Sequence, residues 1–154
     1  RPVLFWQERV GQDGQAFQLV KFRTMTRDSE RSGPAFAKSG DQRVTPVGAF
    51  LRKFRLDELP QFWNVLRGDM SLVGPRPERP HFVDQYREVY PGYDDRHRAP
   101  AGLTGYAAVE GLRGDTSIKD RAHLDNVYID TWSLWSDVKI LMKTVISVVR
   151  RDGR

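Results

Sequence analysis

The residues best suited to chemistry are two adjacent carboxylates, Asp57 and Glu58. Adjacent carboxylates repel one another, so ionising both is costly unless cations stand nearby, as Arg52, Lys53 and Arg55 do. An ionised aspartate can attack phosphorus, while a second carboxylate can hold a divalent cation or move a proton. The pair is also typical of a helix start, with Asp57 as the N-cap, and by itself it favours that structural interpretation over a catalytic one.

Four cations lie in segments that can present them to an anion. Lys21 and Arg23 alternate with apolar residues at the end of a predicted strand, so both project from one face, as gripping a diphosphate requires. Arg76 lies between two prolines, and this stiffness lowers the entropy lost on binding phosphate. Arg113 lies in a glycine-rich segment that lets backbone amides approach an anion. A solvated strand face and rigid connectors remain the alternative interpretations.

Composition limits the classes of partner and metal. The 154 residues suit one domain, and the formal net charge of +5 favours nucleic acid, nucleotide phosphates or an acidic membrane surface. The chain has no cysteine and three histidines, which excludes disulfides, Cys-ligated zinc and a thiol nucleophile and disfavours a His-rich metal site. Any metal is therefore expected to be a hard cation held by carboxylates and phosphates. No run of about 20 apolar residues predicts a membrane span.

The patterning predicts an α+β fold, with a small β-hairpin and several amphipathic helices. β-Branched and aromatic residues at 3–10 and 16–22 flank a Gly/Asp turn, which is typical of a hairpin. Clusters of Gly, Pro and polar residues predict loops at 26–43, 71–80 and 99–115, the last with a short strand at 106–109.

Helical spacing and helix-start residues predict five helices, one after Thr45-Pro46 and the others at 57–66, 78–90, 117–128 and 132–149. Asp57 is expected to cap the second helix, with Pro60 in its first turn and Gly68 at its end. The apolar stripe of the last helix is typical of a core helix, but its Trp, Lys and Arg residues are also compatible with a membrane interface.

Four segments in order resemble one family: PVLFWQERVGQDGQAFQLVKFRTM at 2–25, DELPQFWNVLRGDMSLVGPRP at 57–77, PAGLTGYAAVEGLRGDTS at 100–117 and DNVYIDTWSLWSDVKILMKTV at 125–145. The chain resembles the bacterial sugar transferases, polyprenyl-phosphate hexose-1-phosphate transferases that start exopolysaccharide, capsule and glycan assembly. The resemblance covers nearly the whole chain. Residues 1–154 are therefore expected to form a monotopic phosphoglycosyl transferase catalytic domain.

The resemblance implies a reaction and a cofactor. A sugar-1-phosphate moves from a UDP-sugar to membrane polyprenyl phosphate, and UMP is released, with Mg²⁺ as cofactor. The family's Asp-Glu dyad maps onto Asp57, as the nucleophile that forms a covalent phospho-sugar intermediate, and Glu58, as its metal or proton helper. Both are the expected Mg²⁺ ligands. Lys21, Arg23, Arg76 and Arg113 map onto family segments that are expected to bind the substrates.

The resemblance also implies a place for the protein. The family has amphipathic helices on the membrane surface and a re-entrant membrane helix before the position of Pro2. The expected location is therefore the bacterial inner membrane, with the catalytic domain on its cytoplasmic face. Three departures from the family's usual motifs, at Ala101, Ala108 and Glu110, are expected to alter donor preference if they contact the nucleotide or sugar.

Two other functions remain as alternatives. A nucleic-acid-binding module would explain the basic charge and the aromatic residues, but the chain shows no recognition helix with a clustered basic face, so no nucleic-acid partner is expected. A non-catalytic scaffolding relative is the second alternative, and the intact Asp57–Glu58 pair speaks against it. A homo-oligomer is compatible with all three functions.

Overall fold

The computed structural model of the chain describes residues 2–26, 28–29, 40–114 and 116–150. Most of the loop predicted at 26–43 lies outside these residues. The described part mixes helices with two small sheets, so the predicted α+β class is confirmed.

The predicted hairpin is confirmed. Strand β1 (Leu4–Val10) pairs with the antiparallel strand β2 (Ala16–Phe22), and the register places Phe5 opposite Lys21. Asp13 has a positive φ of 54° in the connecting turn, a conformation that aspartate tolerates better than most residues.

The first helix forms where its start residues predict it, whereas the second starts later. Helix α1 (Pro46–Lys53) is capped by the Thr45 hydroxyl, which accepts from the Gly48 amide at 3.0 Å. Helix α2 (Gln61–Arg67) ends at Gly68, as predicted, but it is preceded by a separate short turn at Leu56–Glu58. The prediction that Asp57 caps this helix is therefore wrong. Pro60 has no N–H to donate to Leu56, so the chain closes only one short turn there.

Two short strands are absent from the sequence prediction. Strand β3 (Ser71–Val73) pairs in parallel with β4 (Gly102–Thr104), so the prediction of irregular structure throughout 71–80 is wrong. The strand predicted at 106–109 is also wrong, because helix α4 (Tyr106–Val109) forms there. Three-residue strands are too short for an alternating pattern, and their partners are distant in sequence.

The remaining helices are confirmed with small shifts at their ends: α3 (Pro80–Val89), α5 (Ile118–Asp130) and α6 (Leu134–Val149). A tight helical segment at Tyr93–Arg98, which was not predicted, joins α3 to β4. None of the helices in the described ranges is long and apolar enough to cross a membrane.

Helix α6 buries only a small part of its apolar stripe. Ile140 packs with Val73 and Tyr128, whereas Leu134 is 72% exposed and Val149 is 74% exposed. The interpretation of the stripe as core therefore fails for most of its residues, and an apolar face is left open on the described part of the molecule.

The end of β3 lies so close to the segment 100–105 that it requires glycine. A Cβ on Gly74 would overlap the carbonyl oxygen of Pro100, and a Cβ on Gly105 would overlap that of Gly74. Gly74 leads into the turn that carries Arg76, so this backbone contact fixes where the turn starts.

Asn64 joins helix α2 to the hairpin. Its side chain is fully buried; Oδ1 accepts from the Val20 amide at 3.0 Å, and Nδ2 donates to the Gln18 carbonyl at 2.8 Å. Nδ2 also donates to the Asp69 carboxylate at 3.0 Å. These bonds hold the segment after Asp57–Glu58 against the strand that carries Lys21.

We expect Asn64→Ala to lower the free energy of unfolding by about 2 kcal/mol, because the buried Val20 amide then has no acceptor. Denaturant unfolding of the variant and the wild type measures the difference. Leu66→Ala, at an 82% exposed position of the same helix, is the control and should change stability by less than about 0.5 kcal/mol. Equal losses in both variants would contradict this role of Asn64.

Candidate active site

A cleft of about 380 Å³ opens between the hairpin, the turn at Leu56–Glu58 and the segment after β3. All six residues that the sequence singles out line it: Lys21, Arg23, Asp57, Glu58, Arg76 and Arg113. The fold therefore brings together residues that lie up to 92 positions apart in the chain. Their individual roles stay predictions.

The cleft has a large excess of positive charge. Its described lining includes three carboxylates, two of which are Asp57 and Glu58, and nine basic side chains: Arg9, Lys21, Arg23, Arg52, Arg55, Arg76, Arg79, Arg113 and Arg121. A concave surface with one dominant sign of charge concentrates ligands of the opposite sign. The cleft is therefore suited to a ligand with several negative charges.

Glu58 and Arg76 form the shortest ion pair in the cleft. Arg76 Nη2 donates to Glu58 Oε1 at 2.6 Å, and the two side chains are 46% and 17% exposed. Burial disfavours the Glu58 carboxylate, but the charge and hydrogen bond of Arg76 outweigh burial and lower the pKa of Glu58. Glu58 in turn raises the pKa of Arg76. Glu58 is thus held as a carboxylate.

Asp57 is in a different electrostatic position. Burial raises the pKa of its carboxyl, the neighbouring Glu58 raises it further, and Lys21 and Arg52 partly offset both effects. No cation of the described residues lies within ion-pair distance of Asp57. The Asp57 carboxylate therefore lines the cleft without an arginine ion pair, whereas Glu58 is paired with Arg76.

Lys21 and Arg23 both lie close to one aromatic ring. Lys21 Nζ is 5.4 Å and the Arg23 guanidinium carbon 5.2 Å from the centre of the Phe5 ring, an attractive cation–π geometry. Burial, with the repulsion of Arg9 and Arg76, lowers the pKa of Lys21 to about 8. Both cations thus line the cleft close to the Phe5 ring.

Arg113 carries two unpaired donors. Its Nε and Nη2 atoms are buried and have no hydrogen-bond partner in the described part of the chain. Burial, followed by the repulsion of Arg55 and Arg76, lowers its pKa to about 10. A buried unpaired donor is unfavourable, so these two atoms mark a place where an anionic acceptor would be stabilised.

Arg9 is a cleft residue that motif analysis missed. Its Nη1 donates to the Pro77 carbonyl at 3.1 Å, its Nη2 to Gln7 Oε1 at 2.6 Å, and burial lowers its pKa to about 10. The signal that could have found it is the period of strand β1, since Phe5, Gln7 and Arg9 all line the cleft.

Arg55 precedes the Asp57–Glu58 pair in a strained conformation. Its φ of 55° lies in the left-handed region, which is unfavourable for a residue with a Cβ. Arg55 lies between α1 and the short turn at Leu56–Glu58, and its conformation directs the chain toward the cleft. Burial lowers its pKa, opposed by the attraction of Glu58.

The three departures from the family's usual motifs lie outside the cleft lining. Ala101 is buried and packs with Leu19 and Met70. Glu110 accepts from Lys143 Nζ at 2.7 Å on another part of the surface, and Ala108 is also absent from the lining. The three side chains are therefore absent from the described lining of the cleft, and their effect on donor preference stays a prediction.

A metal site made only of protein side chains is not present among the described residues, since no three His, Asp or Glu side chains cluster there. Mg²⁺ commonly takes one or two carboxylates and completes its shell with water and substrate phosphates. Asp57 and Glu58 fit that pattern, because both carboxylates line a cleft suited to phosphates.

The comparisons with known proteins agree on one family. The model of the family described as "Bacterial sugar transferase" matches residues 1–151. A UDP-glucose:undecaprenyl-phosphate glucose-1-phosphate transferase of Caulobacter vibrioides is 49% identical over 156 residues, which cover 99% of this chain and 58% of the relative.

Two further relatives differ in the sugar that their names carry. A UDP-N-acetylgalactosamine-undecaprenyl-phosphate N-acetylgalactosaminephosphotransferase of Aeromonas hydrophila is 47% identical, over 99% of this chain and 36% of its own length. A UDP-galactose-lipid carrier transferase of Erwinia amylovora is 42% identical, over 97% of this chain and 34% of its own length. The chain thus spans between about a third and three fifths of these relatives.

We expect the affinity of the cleft for inorganic pyrophosphate to fall about tenfold as the pH rises through about 8. Lys21 is charged below this pH and neutral above it, so its contribution is lost on the alkaline side. Titration calorimetry from pH 7 to 9 measures the effect, and Lys21→Arg is the control, because arginine keeps its charge in this range. An equal decline in both proteins would assign it to a titrating group other than Lys21.

We expect Arg55→Gly to be more stable than Arg55→Ala by about 1 kcal/mol, because only glycine adopts the left-handed conformation without strain. Both variants lose the same cation, so their affinities for pyrophosphate should fall equally. Chemical denaturation measures the stabilities. Equal stability of the two variants would show that residue 55 does not hold this conformation.

Proposed function

Since the chain belongs to the bacterial sugar transferase family, we propose that it moves a sugar-1-phosphate from a UDP-sugar to polyprenyl phosphate and releases UMP. The observation that carries the proposal is the cleft itself, in which two carboxylates are surrounded by an excess of cations. Donor and acceptor are both anions, and such a cleft lowers their mutual repulsion. The names of the three relatives support the same class of donor and acceptor.

The transfer takes two displacement steps. In the first, an oxygen of the Asp57 carboxylate attacks the phosphorus that bears the sugar, and the bond from that phosphorus to UMP breaks. In the second, an oxygen of polyprenyl phosphate attacks the same phosphorus and the Asp57 carboxylate leaves. Both nucleophiles are anionic oxygens, so neither step requires a proton to be removed. The Asp57 carboxylate has no ion-pair partner among the described residues, which supports this assignment over the arginine-bound Glu58.

The basic residues bind the phosphates and stabilise charge. The unpaired donors of Arg113 and the paired cations Lys21 and Arg23 support binding of the donor diphosphate. Arg76 holds Glu58, and its half-exposed guanidinium retains donors that can reach a phosphate oxygen.

Glu58 acts as a fixed negative charge rather than as a proton donor. Its bond to Arg76 and its lowered pKa support a carboxylate that stays ionised through the reaction. Together with Asp57 it would hold Mg²⁺, which would neutralise charge on the diphosphate and on the leaving UMP.

The apolar surface beside the cleft supports a location at a membrane interface. Leu59, Phe62, Trp63 and Leu66 are exposed directly after the Asp57–Glu58 pair. A surface that combines exposed aromatic and aliphatic side chains with basic residues suits the interface of a bilayer, where the lipid acceptor lies. The proposed location is the cytoplasmic face of the bacterial inner membrane.

The test is UMP release by the full-length protein, supplied with polyprenyl phosphate and Mg²⁺, across a panel of UDP-sugars. We expect release with at least one donor and a loss of about a thousandfold or more in Asp57→Asn. Asp130→Asn, at an exposed carboxylate away from the cleft, is the control and should retain full activity. No release with any donor would contradict the proposed function.

The covalent step has its own test. Incubation with a UDP-sugar radiolabelled in the sugar, without acceptor, should leave label on the wild-type protein and none on Asp57→Ala. Addition of polyprenyl phosphate should then remove the label. Label on Asp57→Ala equal to that on the wild type would exclude Asp57 as the nucleophile.

A further inference from the structure

Arg96 and Asp125 form a buried ion pair behind the cleft. Both residues are 2% exposed, and neither lines the cleft. Arg96 donates from Nε to Asp125 Oδ2 at 3.1 Å and from Nη2 to the same oxygen at 2.5 Å. Its Nη1 donates to the Tyr93 hydroxyl at 3.0 Å. Burying such an ion pair contributes little net free energy of folding. Its role therefore lies in the groups that it positions.

The same guanidinium contacts the site through the backbone. Arg96 Nη2 also donates to the main-chain carbonyl of Arg76 at 2.9 Å. The Arg76 side chain then reaches Glu58 at 2.6 Å. A continuous series of polar contacts therefore runs from helix α5, through Arg96 and Arg76, to the Asp57–Glu58 pair.

The turn that carries Arg76 depends on bonds to its carbonyls. Pro75 and Pro77 have no N–H, so the turn lacks two of its amide donors. Four successive carbonyls accept instead: Pro75 from the Gly102 amide at 2.8 Å, Arg76 from Arg96, Pro77 from Arg9 at 3.1 Å and Glu78 from the Val10 amide at 2.9 Å. Arg96 binds the carbonyl of Arg76, the residue whose side chain reaches Glu58 in the cleft.

We propose that Arg96 is a positioning residue, which fixes the Arg76 backbone so that the Arg76 guanidinium meets Glu58 and the substrate phosphate. Asp125 orients Arg96 and keeps it charged. The effect on turnover rests on the proposed function, whereas the effect on the turn does not. Loss of the contact displaces Arg76 without removing any group that touches substrate.

A double-mutant cycle with Arg96→Lys and Arg76→Ala tests the proposal in the full-length protein. Lysine keeps a cation beside Asp125 but lacks the planar fork that reaches both Asp125 and the carbonyl. We expect Arg96→Lys to lower kcat/KM for UMP release, per folded molecule, by about 10- to 100-fold. In the Arg76→Ala background the same change should have no further effect, because Arg96 acts through the Arg76 side chain. If the double variant loses kcat/KM by the product of the two single losses, the proposal is overturned.

Two further variants distinguish a specific effect on Arg76 from a general loss of stability. Tyr93→Phe removes another bond to the same guanidinium but leaves the one to Arg76, so it should lower the melting temperature with little change in kcat/KM. If Arg96→Lys does not fold, Asp125→Asn replaces it in the cycle with the same expected coupling. A loss of kcat/KM in Tyr93→Phe as large as that in Arg96→Lys would contradict a role specific to Arg76.

Hydrogen exchange separates this proposal from the proposed function. The Gly102 and Val10 amides donate to the carbonyls on either side of the Arg96 contact. They should exchange about tenfold faster in Arg96→Lys than in the wild type, measured by mass spectrometry, whether or not the protein releases UMP. If the wild type releases no UMP, only the proposed function is contradicted. If the exchange rates of both amides are unchanged in Arg96→Lys, the positioning role of Arg96 is contradicted.

Discussion

The ion pair between Glu58 and Arg76 is the contact on which the arrangement of the cleft depends. Two adjacent carboxylates would otherwise repel each other in a partly buried site, and one of them would take up a proton. Arg76 neutralises Glu58 at 2.6 Å, whereas Asp57 has no ion-pair partner among the described residues. The pKa of Asp57 is therefore raised while that of Glu58 is lowered, although the two carboxylates are adjacent in the chain.

Holding Arg76 in place requires polar groups from several elements, some of which line the cleft and some of which, like Arg96, lie outside it. The proline-flanked turn is bound through its carbonyls, and the donors come from β1, from the segment at Tyr93–Arg98 and from β4. Glu78, directly after the turn, binds Arg121 of α5 at 2.7 Å, and Arg121 donates to the Gly114 carbonyl at 2.8 Å. Helix α5 thus holds both the Arg76 turn and the loop that carries Arg113.

The polar cleft and an exposed apolar surface lie next to each other in this fold. The described chain places its buried charges around the turn and its apolar side chains on α2 and α6 outside the core. The proposed reaction between a water-soluble donor and a lipid acceptor would use both surfaces next to each other. Asp57 and Glu58 lie where they meet, immediately before the exposed residues of α2.

Much of the fold and of the site could be predicted, because the responsible signals are local. The alternation of β1 and β2, the Thr45-Pro46 start of α1 and the helical spacing of α3 lie within single elements. The motifs around Asp57, Arg76 and Lys21 likewise identified the lining of the cleft. Arg9 was missed only because its signal is a strand period rather than a motif.

The sequence by itself determined the hairpin, most helices and the set of cations and carboxylates available for chemistry. Only the tertiary structure decided that β3 pairs with β4, since strands of three residues carry no period and meet across a long connection. It also decided that Asp57 lines a cleft rather than caps a helix, and that Arg96 reaches the Arg76 carbonyl. Charge, burial and hydrogen-bond partners at these positions come from residues distant in sequence, so they arise only when the chain is folded.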